Sequence, residues 1–468
     1  MTPQKPTATA VVLAGVPATR LACADGTLLD RLNDQLVTLP VHDVQTVAAG
    51  GGPAGDLRAV AALVRLQQGP VVVLPGDLVA HTEALALLLE HPASDTAALV
   101  STERPPGPLR PPVRLQARKV AAAGSSFHTV PEANATFLGV LQVSERDLAT
   151  LADIADELAD LVQAGRLGPV SPIETVDLLL VGLVRSGVGV RAADAGPLHC
   201  DRVTGQSSAD TAIAALADVD EARVRLDTAV KSDDGFFATY FVSSWTRPLV
   251  RLAARLKLTP NAVTGISIGL AVTAAAWFTY GARAAQVAGA VLVYLSFVLD
   301  CVDGQLARYT RTFTPLGSWS DAMADRFKEY VVYVGLAVGY SAGQGNPDGI
   351  WQLAVAAMVL QVVRHTLDFS FSGAVADAAK VGASWARPPR SLMEPADQGP
   401  LGLRARLERD TLTRWLKKMI VLPIGERMAL IAVTAALFNA RVTFLALLAW
   451  GGVALLYQLA GRIERATA

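Results

Sequence analysis

Asp300-Cys301-Val302-Asp303-Gly304-Gln305-Leu306-Ala307-Arg308, then eight residues, then Gly317-Ser318-Trp319-Ser320-Asp321-Ala322-Met323-Ala324-Asp325 is the stretch on which the fold turns. Four carboxylates stand at the edges of two strongly apolar segments, where an ionised group is costly and by default marks a functional site. If both flanks are helical, Asp300, Asp303, Gly304 and Ala307 fall at i, i+3, i+4 and i+7 on one face. Gly317, Asp321 and Asp325 then line a face of the next helix, so the two acidic stripes can face each other. Gly304, Ala307 and Gly317 keep those faces free of bulk, which allows close backbone approach or room for a ligand. Four Asp in apolar surroundings need a cation. Their all-oxygen ligation suits Mg²⁺ or Mn²⁺, and a metal pair spanned by carboxylates is a usual clamp for in-line displacement at phosphorus. Helix caps, solvated charges and the proton relay of an ion-coupled transporter are the competing readings, and none of them needs the Gly, Ala and Arg between the carboxylates.

The spacing Asp300-x2-Asp303-Gly304-x2-Ala307-Arg308-x8-Gly317-x3-Asp321-x3-Asp325 resembles the complete signature of the CDP-alcohol phosphotransferase family. The resemblance implies a membrane enzyme of phospholipid biosynthesis. It would move a substituted phosphate from a CDP-linked donor such as CDP-diacylglycerol to an alcohol, with release of CMP. It further implies that Asp300, Asp303 and Asp321 hold two Mg²⁺ or Mn²⁺ ions. Asp325 would serve as the catalytic base and share in metal binding. Gly304, Ala307 and Arg308 are implied to meet the CDP donor, with Thr314, Asn261 and Thr264 as further contacts. Dimerisation through the membrane helices also follows from the resemblance alone.

At 468 residues the chain has room for two or three domains, and 51% of it is hydrophobic although the first half is an ordinary soluble mixture. The apolar excess therefore lies in the second half. A net charge of −1 gives no overall basicity for nucleic acid. Cys23, Cys200 and Cys301 are scattered without metal-ligand spacing, as expected of reduced thiols on the cytoplasmic side. The first residues show no charged leader, apolar core and cleavage site in succession, so the chain is expected to start in the cytoplasm.

Residues 1–225 read as a cytoplasmic α/β domain with a mostly parallel sheet. β-like runs at 8–13, 44–49, 71–74 and 97–101 alternate with helical stretches at 55–67 and 81–90. Two points resemble nucleotidyltransferase domains: Leu13-Ala14-Gly15 with Thr19-Arg20 at the place of a phosphate loop, and Leu74-Pro75-Gly76-Asp77 at the place of a metal-binding Asp. The second glycine and the following Lys of that loop are missing, so no cation neutralises a triphosphate there. A degenerate, Rossmann-like domain kept for packing, docking or regulation is the expectation, with a bifunctional cytidylyltransferase as the alternative.

Residues 226–258 mix aromatics, aliphatics and Arg at helical spacing, as in an amphipathic helix lying either in the membrane interface or on the protein. Thr259-Pro260-Asn261 is a helix start. Apolar segments then fall near 261–281, 285–303, 322–342, 348–367, 421–439 and 442–460, the lengths of membrane spans, so residues 259–468 read as an all-α six-helix bundle. The connections after the second and fourth spans carry Arg308, Arg311, Lys380 and a basic, Pro-rich run from Arg387 to Lys418. By the positive-inside rule both termini and the carboxylates face the cytoplasm. Arg364 and Arg427, each costly in lipid, are candidate ligands of an acceptor phosphate, which favours inositol phosphate or glycerol phosphate. Pairing with Glu426 or Asp368, or snorkelling to headgroups, is the competing expectation for both.

Overall fold

The computed structural model describes residues 7–24, 26–48, 50–91, 95–230, 235–312, 314–343, 349–382, 415–416 and 419–467. They divide into two compact units at Val224 and Arg225. The Lys231–Asp234 part of the expected amphipathic segment, and residues 387–414, 417 and 418 of the expected basic run, lie outside the described residues.

In the first unit the strands are β1 (Ala8–Leu13), β2 (Ala22–Cys23), β3 (Gly26–Thr27), β4 (Val41–Val47), β5 (Val71–Pro75), β6 (Leu78–Ala80), β7 (Ala97–Ser101), β8 (Pro112–Gln116), β9 (Lys119–Ala123), β10 (Ala135–Val143), β11 (Arg191–Asp194) and β12 (Cys200–Arg202). Its helices are α1 (Leu28–Val37), α2 (Gly52–Arg65), α3 (Thr82–Leu89), α4 (Leu148–Gln163), α5 (Thr175–Arg185) and α6 (Gln206–Leu216), and α7 (Glu221–Val230) crosses the division. Eight strands form one sheet in the order β4-β1-β5-β10-β7-β11-β9-β8. β4, β1 and β5 run parallel, as expected from their alternation with helices, but β10 is antiparallel to both β5 and β7, so the sheet is mixed. Successive strand residues feed opposite faces: Val11 and Leu13 join the core under α2 and α4, while Ala10 and Val12 join the core under α1 and α3. With both faces covered, the central strands are largely apolar, with Thr9, Thr136 and Gln142 as buried exceptions.

The second unit continues through a π-helical turn (Ala238–Val242) and α8 (Arg247–Arg255) into six long helices. They are α9 (Pro260–Thr279), α10 (Arg283–Thr310), α11 (Pro315–Gly343), α12 (Ile350–Gly382), α13 (Ile424–Leu437) and α14 (Ala440–Thr467). The expected start of α9 is present, with the Thr259 hydroxyl accepting the Ala262 N–H at 3.2 Å and Pro260 at the first helical position. Helices occupy all six expected places, but only four are long and apolar enough to cross a membrane among the described residues: Pro260–Thr279, Arg283–Thr310, Ile350–Phe371 and Ala440–Ile463. The other two fall short for different reasons. α11 carries Asp321, Asp325, Arg326, Lys328 and Glu329 in its first half, and α13 has 14 residues. α12 also outruns the span expected at 348–367, because the Ala-rich sequence up to Gly382 sustains a helix after the apolar part has ended.

Close packing holds α9 against its neighbours. A Cβ on Gly335 would lie 2.4 Å from the Ala275 carbonyl oxygen, and one on Gly339 would lie 1.9 Å from that of Phe278. α10 and α11 both run along α9. The core of the unit is Phe278, Val293, Phe297, Val332, Tyr333, Leu336, Ile431 and Phe444.

Candidate active site

α10 brings Asp300 and Asp303 to its last turns and ends where Arg311 takes a left-handed backbone at φ 57. The chain reverses over the next few residues, and the Thr314 hydroxyl caps α11 by accepting the Gly317 N–H at 2.9 Å. Asp321 and Asp325 follow on the first turns of α11. The reversal brings the two acidic stripes together: Asp300, Asp303 and Asp321 each place an oxygen within 4.8 Å of the others. Asp303 is 3% exposed and takes the Thr264 hydroxyl at 2.5 Å. Asp321 Oδ1 is buried without a hydrogen-bond partner. A buried, unpartnered carboxylate oxygen beside two more carboxylates is the donor set of a hard divalent cation, so the residues present fit Mg²⁺ or Mn²⁺.

Of the glycines on these faces, Gly304 leaves room for a ligand, whereas Gly317 is crowded. A Cβ on Gly304 would meet only the Arg308 guanidinium, 3.7 Å away. Arg308 is steadied by its Nε–H, which donates to the Ala229 carbonyl at 2.8 Å. On the other side a Cβ on Gly317 would meet Thr314 Oγ1 at 2.9 Å and Asn261 Oδ1 at 3.4 Å. Thr314, Asn261 and Gly317 thus converge at one edge of the cluster, with Gly304, Ala307 and Arg308 on α10. The close backbone approaches fall to Gly335 and Gly339.

Arg364 and Arg427 come together deeper in the bundle. Glu329, fully buried, accepts from Arg427 Nε at 3.2 Å, Gln361 Nε2 at 2.8 Å and the Tyr333 hydroxyl at 2.6 Å. Arg364 donates to Gln361 Oε1 at 3.0 Å and to the Val421 carbonyl at 2.6 Å. The partners expected from sequence are occupied elsewhere: Glu426 accepts the Phe237 N–H at 3.3 Å, and Asp368 pairs with Arg462.

Lys328 and Glu329 were not singled out from the sequence. Lys328 pairs with Asp300 and lies 3.2 Å from Asp325 Oδ1. The signal was present, since a Lys three residues after Asp325 in an apolar helix sits on the same face.

In the first unit the glycine loop and Asp77 are both committed to internal contacts. A Cβ on Gly15 would lie 2.8 Å from Asp56 Oδ2, so the loop faces a carboxylate where a triphosphate needs donors. The Thr19 hydroxyl donates to the Val16 carbonyl at 2.8 Å and Arg20 is exposed. Asp77 is fully buried and takes Arg202 through two bonds of 3.0 and 3.1 Å, while Arg202 also donates to the Ile173 carbonyl at 2.5 Å. Nearby, burial pushes the Asp177 carboxyl up to about 7, with Arg202 drawing it partly back. Burial also pushes the Cys200 thiol above its ordinary range, which keeps it an inert core residue.

Apolar helices around carboxylates grouped for a divalent cation define a multi-pass membrane protein with a metal-type site at the helix ends. Residues 257–458, the carboxy-terminal part of the chain, match the CDP-alcohol phosphatidyltransferase family. The phosphatidylinositol phosphate synthase of Cutibacterium acnes is 32% identical over 124 residues, 26% of this chain and 58% of the relative. The archaetidylinositol phosphate synthase of Aeropyrum pernix is 32% identical over 107 residues, 23% of this chain and 48% of the relative. The chain thus spans about half the length of these curated relatives. Among solved structures, an inositol-1-phosphate CTP transferase from T. maritima is similar at 14% identity and a TM-score of 0.35, covering 46% of this chain and 98% of its own. A CMP:2-keto-3-deoxy-manno-octonic acid synthetase is similar at 13% identity and a TM-score of 0.32, covering 45% and 99%.

Proposed function

We propose that the protein is an integral-membrane CDP-alcohol phosphotransferase. It transfers a phosphatidyl-type group from a CDP-linked lipid, most simply CDP-diacylglycerol, to an alcohol and releases CMP. The observation that carries this reading is the grouping of Asp300, Asp303 and Asp321 beside Asp325, flanked by the open berth of Gly304 and Arg308. The acceptor oxygen bonds to the β-phosphorus as the bond from that phosphorus to the CMP oxygen breaks, and CMP departs with the electron pair. Asp325 receives the acceptor proton. Arg308, steadied over Gly304, meets phosphate charge, and Asn261 with Thr314 closes the other edge of the nucleotide. A divalent ion on Asp300, Asp303 and Asp321, with Asp325 at its margin, would neutralise the pyrophosphate and the leaving phosphate.

The acceptor on this reading carries a phosphate, and an inositol phosphate is the first choice. Arg427 is balanced by Glu329, whereas among the described residues Arg364 donates its hydrogen bonds to neutral groups, which supports a positive surplus for an anion. The names of the two relatives agree with that choice. The basic connections support an active site and termini on the cytoplasmic face. Residues 226–258 serve as an interfacial helix region, supported by exposed Tyr240, Phe241, Trp245, Leu252 and Leu256 beside exposed Arg251 and Arg255. Residues 1–225 serve as a non-catalytic domain, supported by the pairing of Asp77 with Arg202 and by Asp56 at the glycine loop.

The test is CMP release by detergent-purified protein given CDP-diacylglycerol, Mg²⁺ or Mn²⁺, and a panel of phosphorylated and neutral alcohols. CMP is expected with a phosphorylated acceptor and falls about 10²–10⁴-fold in Asp325→Asn, the usual contribution of a general base. Flux of an ion or solute without CMP from any acceptor would instead support a transporter.

A further inference from the structure

Lys328 lies outside the sequence signature of the site and yet stands inside it. It follows Asp325 by one turn of α11, and its side chain is 3% exposed. Its ammonium pairs with Asp300, lies 3.2 Å from Asp325 Oδ1 and lies 3.3 Å from Ser267 Oγ. The ammonium thus donates to Asp300 and Ser267 and stands at ion-pair distance from Asp325. The small cavity bordered by Lys328, Asp300 and Ser296 is otherwise walled by apolar side chains, among them Ala271, Val293, Phe297, Val332 and Met428. Leaving the two carboxylates would strand the ammonium in that wall.

The oxygens grouped for a cation come from Asp300, Asp303 and Asp321, and Asp325 is not among them. A second ion in the usual bridged arrangement would need Asp325 together with one of its carboxylate neighbours. Asp325 and Asp300 are the two that Lys328 already holds. We propose that Lys328 stands in the place of a second cation: the site takes one divalent ion on Asp300, Asp303 and Asp321, and the Lys328 ammonium holds Asp325 in position and shares Asp300. Asp325 is thereby oriented by a covalently attached charge that cannot be lost by dilution or chelation. Lys328 is a positioning residue. The inference rests on the metal-site reading above.

Counting Mn²⁺ bound to the full-length, detergent-purified chain tests it, by equilibrium dialysis together with electron paramagnetic resonance. Wild type is expected to bind one Mn²⁺ per chain with the six-line signal of an isolated ion. Lys328→Met is expected to bind two, with the broadened, coupled signal of ions about 4 Å apart. Lys328→Arg, which keeps the charge, is expected to stay at one. Two ions on wild type overturn the proposal whatever the variants do, and one ion on both wild type and Lys328→Met overturns it as well. No bound Mn²⁺ on wild type overturns the metal reading itself and the proposal with it.

Discussion

At the scale of single residues, each unit holds a buried ion pair, Asp77 with Arg202 in the first and Glu329 with Arg427 in the second. Asp77 and Arg202 satisfy each other, so removing one partner leaves the other charged and dry. Arg202→Met is expected to destabilise the first unit by roughly 3–5 kcal/mol, and Asp77→Leu combined with Arg202→Met to recover most of that loss. Every Trp and Tyr of the chain lies beyond residue 238, so the readout is hydrogen exchange in β5 and β10 or pulse proteolysis, not fluorescence. Asp177 sets a pH dependence in the same unit. Its carboxyl titrates at about 7 when folded and near the ordinary 3.8 when unfolded, so between those values only the native state keeps the proton. Stability contributed by that proton is full below about 4 and is lost as pH rises through about 7. Asp177→Asn is expected to raise resistance to pulse proteolysis at pH 8 and to leave it nearly unchanged at pH 4. The four site carboxylates were legible in sequence because each pair lies within one helix, where spacing alone fixes the face. Arg202 was not, since its partner is 125 residues away. Lys328 and Glu329 were not either, because a charge in an apolar helix states a need for a partner without naming one.

At the scale of elements, glycines with similar sequence surroundings do different work. Gly335 and Gly339 let α11 meet the backbone of α9, so Gly339→Ala should force the helices apart. A loss of about 1–3 kcal/mol or more is expected, read as a lower midpoint in detergent unfolding. Gly304→Ala should leave that midpoint in place, because a Cβ there lies 3.7 Å from its nearest neighbour. The same change fills the donor berth, so CMP release should fall with a raised KM for the CDP-lipid. The sequence had marked Gly304 and Gly317 for close approach or ligand room without choosing between them. Only the packing of α9 on α11, which no periodicity states, makes the choice. Helix ends were legible where a cap announces them, as at Thr259. The end of α12 was missed because helix propensity continued after hydropathy had stopped.

At the scale of the whole molecule, the two units read differently well from sequence. The parallel half of the sheet followed from alternating strands and helices, but the reversal at β10 depends on a long-range pairing that local pattern does not contain. The six helical places followed from hydropathy. The number that can span did not, because α11 gives up apolarity to carry the site. If residues 1–225 are non-catalytic, full-length protein incubated with CTP and alcohol phosphates should release no pyrophosphate, while CDP-lipid supplied from outside should still yield CMP. Pyrophosphate release would show a nucleotide-forming domain and restore the bifunctional reading.

The backbone contact of α9 with α11 also bears on how a substrate with two acyl chains arrives. With no side chains between the helices at Gly335 and Gly339, that seam has nothing flexible to part, and α10 lies along the same α9. At Gly335 and Gly339 the seam between α9 and α11 is therefore closed to an acyl chain. A donor diffusing in the plane of the bilayer has to bring its tails in through a different seam, so two glycines well beyond the carboxylates decide the side from which the headgroup is presented.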